Sequence, residues 1–386
     1  MTEPRFTPLR DRHEALGATF TDFGGWMMPV RYGSDLAEHH AVRSAAGLFD
    51  ISHMAEFWVH GGKAADFLDY VLAGGISAMA VGKAKYSLVL ADDGTIIDDV
   101  IVYRTGEQYF LVVSNAGNRD AVAAAFDAGL TAWNSTPSFV SDPILGESMT
   151  FGADAPVIED ATEQLALIAV QGPRAEEIVR ATPGVEIPDL DGLGYYAWRE
   201  GTFEGAWLFV ARTGYTGEDG FELLVPNASA GALWDALLAT GEPLGLVPAG
   251  LAARDTLRLE AGMPLYGHEL TRDIVPAQAG LGRVVVDAKD DFVGKGATTP
   301  ADGAPVLVGI VSDGKRAGRA GYSVLLGDDV VGEITSGALS PTLGHPIAMA
   351  FVSPSAAEEG TVLSIDVRGT RIPATVTALP FYRRNK

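Results

Sequence analysis

The sequence contains no cysteine. That single absence excludes a disulfide scaffold, a thiolate zinc site, an iron–sulfur cluster, a thiol nucleophile and a thioredoxin-type redox pair. Positive charge is scarce: 28 Lys and Arg stand against 50 Asp and Glu, a formal net charge of −22. A field of that sign repels nucleic acid and anionic membranes, so neither is expected as a partner. No apolar run approaches the roughly eighteen residues that a spanning helix needs. The start, Met1-Thr2-Glu3-Pro4-Arg5-Phe6, lacks the apolar centre of a secretory signal and the Arg/Ser richness of a transit peptide. The reading is a soluble protein of a reducing cytoplasm. Several catalytic signatures are missing as well: no His-Glu-x-x-His, no Gly-x-Ser-x-Gly and no Gly-x-Gly-x-x-Gly opening a βα unit. Residues 309–315 have the spacing of a phosphate loop, but Arg316 stands where the magnesium-binding hydroxyl belongs.

What is present is an ordinary globular composition, 47% hydrophobic and 20% charged over 386 residues, enough chain for two or three domains. A short helix is expected over 9–16. Another is expected over 34–46, with Ser34 as N-cap and Glu38 near the capping-box position. Strands are expected at 86–90 and 95–103 around the turn Ala91-Asp92-Asp93-Gly94, with a third at 109–113 and a helix at 119–126. Further strands fall at 166–170, 207–211 and 221–225, and helices at 174–181, 233–240 and 250–261. Between 132 and 159 the pattern is lost among prolines, serines and glycines, which reads as an irregular excursion. From about 305 six short Val/Leu/Ile runs, at 306–311, 324–326, 330–334, 347–352, 362–367 and 374–376, read as a small all-β barrel or sandwich. A boundary near Ala301-Asp302-Gly303 follows. This order of elements points to an α+β architecture with antiparallel sheets and away from a doubly wound fold.

Three constellations stand out. Asp98-Asp99 interrupts an apolar strand; alternation groups Ile97, Asp99, Ile101 and Tyr103 on one face and Ile96, Asp98, Val100 and Val102 on the other. Both faces are apolar, so at least one carboxylate enters a buried setting that raises its pKa, or pairs with an arginine. Arg212-Thr213-Gly214-Tyr215-Thr216-Gly217-Glu218-Asp219-Gly220-Phe221-Glu222 is either a tight wrap around a flat ligand, with Glu222 reading an N–H edge, or a glycine-rich hairpin with a solvated acidic rim. In the helix around Arg254-Asp255-Thr256-Leu257-Arg258, the charges either face a site or form surface pairs worth under about 1 kcal/mol. His39-His40 point to different faces, which disfavours a metal pair, and His53 reads as a satisfied structural histidine.

Seven blocks in order resemble the glycine cleavage T-protein family, the tetrahydrofolate-dependent aminomethyltransferases, over nearly the whole chain. They are Phe23-Gly24-Gly25-Trp26-Met27-Met28-Pro29; Leu48-Phe49-Asp50-Ile51-Ser52-His53-Met54; Lys83-Ala84-Lys85-Tyr86-Ser87; Ile96-Ile97-Asp98-Asp99; residues 212–222; residues 252–262; and Gly332-Glu333-Ile334-Thr335-Ser336-Gly337 with Ser340-Pro341-Thr342-Leu343-Gly344. The resemblance implies a three-domain cloverleaf around a central folate cavity: residues 1–57 with 162–264, residues 58–161 with 265–300, and a C-terminal β-barrel at 301–386. It implies transfer of the methylene carbon of an aminomethyl group, carried on the lipoyl arm of H-protein, to tetrahydrofolate. The products are 5,10-methylenetetrahydrofolate, ammonia and dihydrolipoyl H-protein, with P-protein and L-protein as functional associates and no metal. It implies that Asp99 is the catalytic carboxylate and that Met54, Tyr86, Asn115, Tyr215, Glu222 and Arg254 line the folate pocket. Two departures are visible: Gly280-Leu281-Gly282-Arg283 stands where relatives place an aromatic wall, and the stretch 132–159 is long. Folate-linked demethylases of the same fold and a non-catalytic folate or H-protein binder are the alternatives. The iron–sulfur-assembly folate proteins need a cysteine motif and are excluded. The loop with Lys315, Arg316 and Arg319, and the tail with Arg383, Arg384 and Lys386, are the densest basic groups on this acidic chain and the expected contact for H-protein.

Overall fold

The structure is a computed structural model that describes residues 4–135, 138–142, 146–150 and 155–384. Two sheets and one barrel organise it. A seven-stranded sheet has the order Val185–Glu186, Trp198–Phe203, Ala206–Ala211, Gly220–Pro226, Leu165–Gln171, Ala46–Asp50 and Leu246–Pro248. Its pairings are antiparallel except the last, where Leu246–Pro248 runs parallel to Ala46–Asp50. A five-stranded antiparallel sheet has the order Val157–Asp160, Ala55–His60, Tyr109–Ser114, Ile96–Gly106 and Ala84–Leu90.

The two sheets face each other. Phe49, Leu167, Phe209 and Leu224 of the larger sheet pack against Tyr103, Leu111 and Trp58 of the smaller one. The outer face of the larger sheet is covered by the helices Ala175–Ala181 and Asn227–Gly241, through Ile178, Leu233, Trp234 and Leu237. The outer face of the smaller sheet is covered by Ala64–Val71 and Arg119–Ser135, through Phe67, Leu68 and Phe126. Strand Leu165–Gln171 is therefore buried on both sides: Ala166, Ile168 and Val170 point one way, Leu167 and Ala169 the other. Its unbroken apolar run is the sequence mark of that double burial.

All six late runs form strands, and they close into an antiparallel barrel in the order Val306–Ser312, Pro346–Val352, Asp329–Leu339, Ser323–Leu326, Val362–Val367 and Thr370–Thr377. Closure leaves no free sheet edge. Gly309 lies inside the first of these strands and Lys315 Nζ donates to Gly344 O at 2.9 Å, so the phosphate-loop spacing has no phosphate-loop structure.

Four sequence readings need correction. Ser34 does cap the helix Asp35–Ser44, accepting from Ala37 N–H at 3.3 Å. Glu38 closes no capping box; its carboxylate accepts from Tyr32 N–H, Gly33 N–H and Gly250 N–H at 2.8, 3.1 and 3.0 Å, tying this helix to the start of Leu251–Glu260. The helix that opens at Arg119 runs to Ser135, well past 126. Within 132–159, Ser138–Asp142 pairs with Gly146–Thr150 and Val157–Asp160 edges the smaller sheet; residues 136–137, 143–145 and 151–154 lie outside the described residues. Finally, a register shift opposite Val89 and Leu90 puts Ile97 outside the ladder. That bulge sends Ile97 to the outer core with Val100 and Val102, while Asp99, Ile101 and Tyr103 keep the inner face.

The barrel is held to the two-sheet body by charge as well as by apolar packing. Glu260, at the end of its helix, accepts from Arg43 Nη2 at 2.8 Å, Ser340 Oγ at 2.5 Å and Thr342 N–H at 3.0 Å, with His39 Nε2 at 3.2 Å. Arg258 pairs with Asp255, but not at the surface. It is buried, and it also reaches Glu269 at 3.1 Å and the barrel's Ser336 Oγ at 2.7 Å.

Candidate active site

Between the sheets, on the side where the helix Leu251–Glu260 and the segment 263–266 close over them, lies a cavity of about 270 Å³, near the small end of the range for ligand sites. Each element delivers particular side chains. The central strand Ile96–Gly106 supplies Asp99, its neighbours supply Tyr86 and Asn115, the larger sheet supplies Glu222, and the helix supplies Arg254. The glycine-rich turn supplies Tyr215; Gly214 packs so close to the buried Gln171 that a Cβ there would meet its Oε1 at 2.0 Å, and Gly217 has φ +81°. Met54 arrives from the turn after Ala46–Asp50. Asp50 shapes that turn: its carboxylate accepts from Ser52 N–H at 2.9 Å, Thr7 Oγ at 2.5 Å and His13 Nε2 at 2.8 Å. Asp99, Met54, Tyr86, Asn115, Tyr215, Glu222 and Arg254 thus share one cavity.

At one end, Asn115 Nδ2 donates to both acids, to Asp98 Oδ1 at 2.7 Å and to Asp99 Oδ1 at 2.8 Å. Tyr86 O–H donates to Asp99 Oδ2 at 3.1 Å. Asp98 points out of the cavity, where Asn118 Nδ2 donates to it at 2.7 Å and Asn115 N–H at 3.0 Å. No cation pairs with either acid among the described residues. Burial pushes Asp99 above the usual carboxylate range, more than the bonds from Asn115 and Tyr86 hold it down. Burial and then Asp99 push Asp98 up to about 7.

The other end is built differently. Glu222 Oε2 accepts from Thr213 Oγ at 2.5 Å and Tyr103 O–H at 3.2 Å, and no described protein donor reaches Oε1. Arg254 lies over the Tyr215 ring, 4.8 Å from its centroid, and among the described residues its guanidinium has no protein acceptor. Burial draws Arg254 below its ordinary value; Glu222 and Tyr215 oppose that.

The chain matches the model of the GCVT N-terminal domain over residues 9–289 and that of the glycine cleavage T-protein C-terminal barrel domain over residues 306–383. The chain belongs to the glycine cleavage T-protein family. Aminomethyltransferases of Cutibacterium acnes and Streptomyces avermitilis are each 51% identical to it, covering 100% and 99% of both chains. The crystal structure of glycine cleavage system aminomethyltransferase T from Bartonella henselae superposes with a TM-score of 0.85 at 33% identity, covering 99% of each chain. Family membership thus rests on the full length of the chain, body and barrel alike.

Several residues in the family's cavity escaped the sequence reading. Tyr196 lines it with φ +55°, a left-handed conformation rare for a bulky side chain and concentrated at functional sites. Phe23 and Tyr266 line it too; of the segment Gly280–Arg283, expected to lack an aromatic wall, Leu281 lines the cavity and Arg283 does not. His53, read as a satisfied structural histidine, also lines the cavity, and its Nδ1 is buried without a partner. Its place beside Met54 was the available signal. Among the described residues no cluster of His, Asp and Glu is suited to a metal ion, and no helix is long and apolar enough to cross a membrane.

Proposed function

We propose that the cavity binds tetrahydrofolate with its amide and amino edge on Glu222, and that Asp99 is the catalytic carboxylate. The chain is an aminomethyltransferase of the glycine cleavage system. In our reading it moves the methylene carbon from the lipoyl arm of H-protein to tetrahydrofolate, with ammonia and the dihydrolipoyl arm released. The observation that carries this reading is the unspent pair at one end of the cavity: Glu222 keeps a free acceptor oxygen and Arg254 keeps all its donors. A flat heteroaromatic with donors on one edge and acceptors on another satisfies both, and Tyr86, Tyr196, Tyr215 and Met54 provide apolar and aromatic walls.

Tetrahydrofolate supplies two nitrogens that take up the carbon. Asp99 stands at the far end of the cavity with a carboxyl that burial raises above the usual carboxylate range, which favours its taking and returning a proton. Tyr86 and Asn115 fix its two oxygens, and Asn115 is itself anchored by Asp98. In its ionised form Asp99 also stabilises the positive charge that develops as ammonia leaves.

We further propose residues 1–57 with 162–264, 58–161 with 265–300, and 301–386 as the three domains, supported by the split of the two sheets and the barrel except that strand Ala55–His60, wholly in the smaller sheet, moves the first boundary to before Ala55. Lipoylated H-protein as partner, P-protein and L-protein as functional associates, and a cytoplasmic location complete the proposal. The test is calorimetric titration with tetrahydrofolate under reducing, anaerobic conditions. The wild type should bind, and Glu222→Gln should bind more than tenfold weaker, because a buried donor pair loses its acceptor. A wild type that does not bind, or a Glu222→Gln variant that binds equally well, overturns the assignment.

A further inference from the structure

We infer that His53 is a specificity-determining contact in the cavity, presenting a neutral imidazole Nε2–H donor to an acceptor atom of the bound ligand. This deepens the folate reading and rests on it. Most hydroxyl donors in the cavity are already committed within the protein. Tyr215 O–H donates to Pro264 O at 2.5 Å, Tyr266 O–H to Ile96 O at 3.2 Å, and Tyr86 O–H to Asp99 at 3.1 Å. Among the described residues, the side chains of His53, Arg254 and Tyr196 in the cavity are left without a hydrogen-bond partner. Buried polar side chains are rarely left so, and for one that lines a cavity a bound ligand is the natural source of the partner.

The ring has two nitrogens in unlike surroundings. Nδ1 is sealed from solvent and has no partner. His53 nonetheless lines the cavity, so Nε2 is the nitrogen through which it serves a ligand. Sealing a donor N–H without an acceptor is rarer in folded proteins than leaving a lone pair under-satisfied. The proton therefore belongs on Nε2, which makes the accessible nitrogen a donor. Two further features keep the ring fixed and uncharged. It meets the Phe23 ring edge to face, with centroids 5.5 Å apart. Burial, and then the Arg254 guanidinium, draw its pKa down to about 4.

The consequence is a division of labour in recognition. Asp99 and Glu222 are acceptors and read donor atoms; Arg254 and His53 are donors and read acceptor atoms. A ligand that fits offers a carbonyl oxygen or an unprotonated ring nitrogen to His53, as an oxidised or reduced heteroaromatic amide does. A cationic ligand group at that position meets two donors and is rejected.

Two measurements test the assignment. The first is the ¹⁵N chemical shifts of the His53 ring in the wild-type protein at pH 7, which report the tautomer directly. A pyrrole-type Nε2 with a pyridine-type Nδ1 is expected; the reverse tautomer, or a doubly protonated ring, overturns the inference. The second is binding of 5-methyltetrahydrofolate to three proteins by calorimetry, with steady-state kinetics alongside. His53→Phe, which keeps the ring contact and removes the donor, should raise Kd and the folate KM about tenfold or more while kcat moves less than threefold. His53→Gln, whose amide nitrogen approaches the Nε2 position, should recover most of the loss. A folded His53→Phe protein that binds as the wild type does sinks this role and leaves the folate reading intact. A wild type that fails to bind any reduced folate sinks that reading first. If His53→Phe does not fold, the tautomer measurement and the His53→Gln variant decide, the latter by binding within threefold of wild type or failing to.

Discussion

Two clusters of buried carboxylates are built on opposite electrical plans. Asp98 and Asp99, at the wall of the cavity, are held only by neutral donors, from Asn115, Asn118 and Tyr86. Glu260, where the helix Leu251–Glu260 meets the barrel, is held by the Arg43 guanidinium together with His39, Ser340 and Thr342. Burial disfavours the charged form in both places, but only the second has a cation to offset it. Burial alone would raise Glu260; its partners overcome that and bring it down to about 2. Asp98, lacking such a partner, is pushed up to about 7. The contrast teaches which charges serve cohesion and which are kept for chemistry. A fully neutralised carboxylate is a tie between parts of the fold, whereas an under-compensated one is poised to exchange a proton or to meet a cation supplied from outside.

The largest expected effect breaks the cavity cluster. Asp99→Asn keeps shape and loses charge, so turnover should fall about 10²-fold or more while tetrahydrofolate affinity changes much less, because the charge matters most in the transition state. Kinetics with saturating H-protein and folate check this, and near-full activity would reverse the roles of the two acids. Glu260→Gln, by contrast, should leave turnover of the folded protein almost unchanged.

The next effect is on stability, and the two clusters should carry opposite signs of pH dependence. Glu260 has a folded pKa below its unfolded value, so its contribution of ~3 kcal/mol is present above pH ~4.5 and lost as the pH falls toward 2. Asp98 has a folded pKa above its unfolded value, so the unfolded chain releases its proton first, and this group's contribution declines as the pH rises from about 4 to about 7. Urea unfolding across pH 2–8 should show a weaker acid limb below pH ~4.5 in Glu260→Gln and a flatter decline between about pH 4 and 7 in Asp98→Asn. Parallel profiles for both variants would remove the distinction.

The smallest expected effect concerns the surface. Lys315 and Arg319 donate to Gly344 O and Gly337 O in an exposed barrel loop, and Arg384 lies 3.4 Å from Asp219. If the loop meets an acidic H-protein, reversing the charges of Lys315, Arg316 and Arg319 should raise the H-protein KM several-fold at low salt and less at high salt. An unaltered KM would exonerate the loop.

The barrel was legible because each of its strands carries a short β-branched run broken by a turn residue, a signal that needs no distant partner to be read. That Asp98 and Asp99 face opposite ways was legible for a similar reason, since alternation along one strand separates them, whereas the choice of Asp99 came from the family resemblance. Other features depend on partners far away in sequence. Ile97 leaves its face because of a bulge that only pairing with Val89 and Leu90 creates. Helical spacing left Arg258 open between a site-facing charge and a surface pair, and only Glu269 and Ser336, from outside its helix, separate the two. Glu38 spends its carboxylate on Gly250, 212 residues away. His53 sits in a turn whose shape comes from His13 and Thr7 acting on Asp50, and nothing local reveals that its Nδ1 is left unpaired.

The interleaving of the two sheets also imposes an order on synthesis. Strand Ala46–Asp50 emerges from the ribosome early, yet its partners are Leu165–Gln171 and Leu246–Pro248. At translation rates of about 5–20 residues per second, the nearer partner follows only ~6–23 s later. Every strand of the smaller sheet lies in the intervening chain, so that sheet can pair and take on its covering helices first, with Trp58 and Leu111 exposed on the bare side until the larger sheet arrives. The cavity needs both sheets and the segment that follows Gly262. A growing chain thus passes through a long interval in which it holds a finished sheet and no binding site, and ligand can begin to favour the native state only when about two-thirds of the chain has left the ribosome.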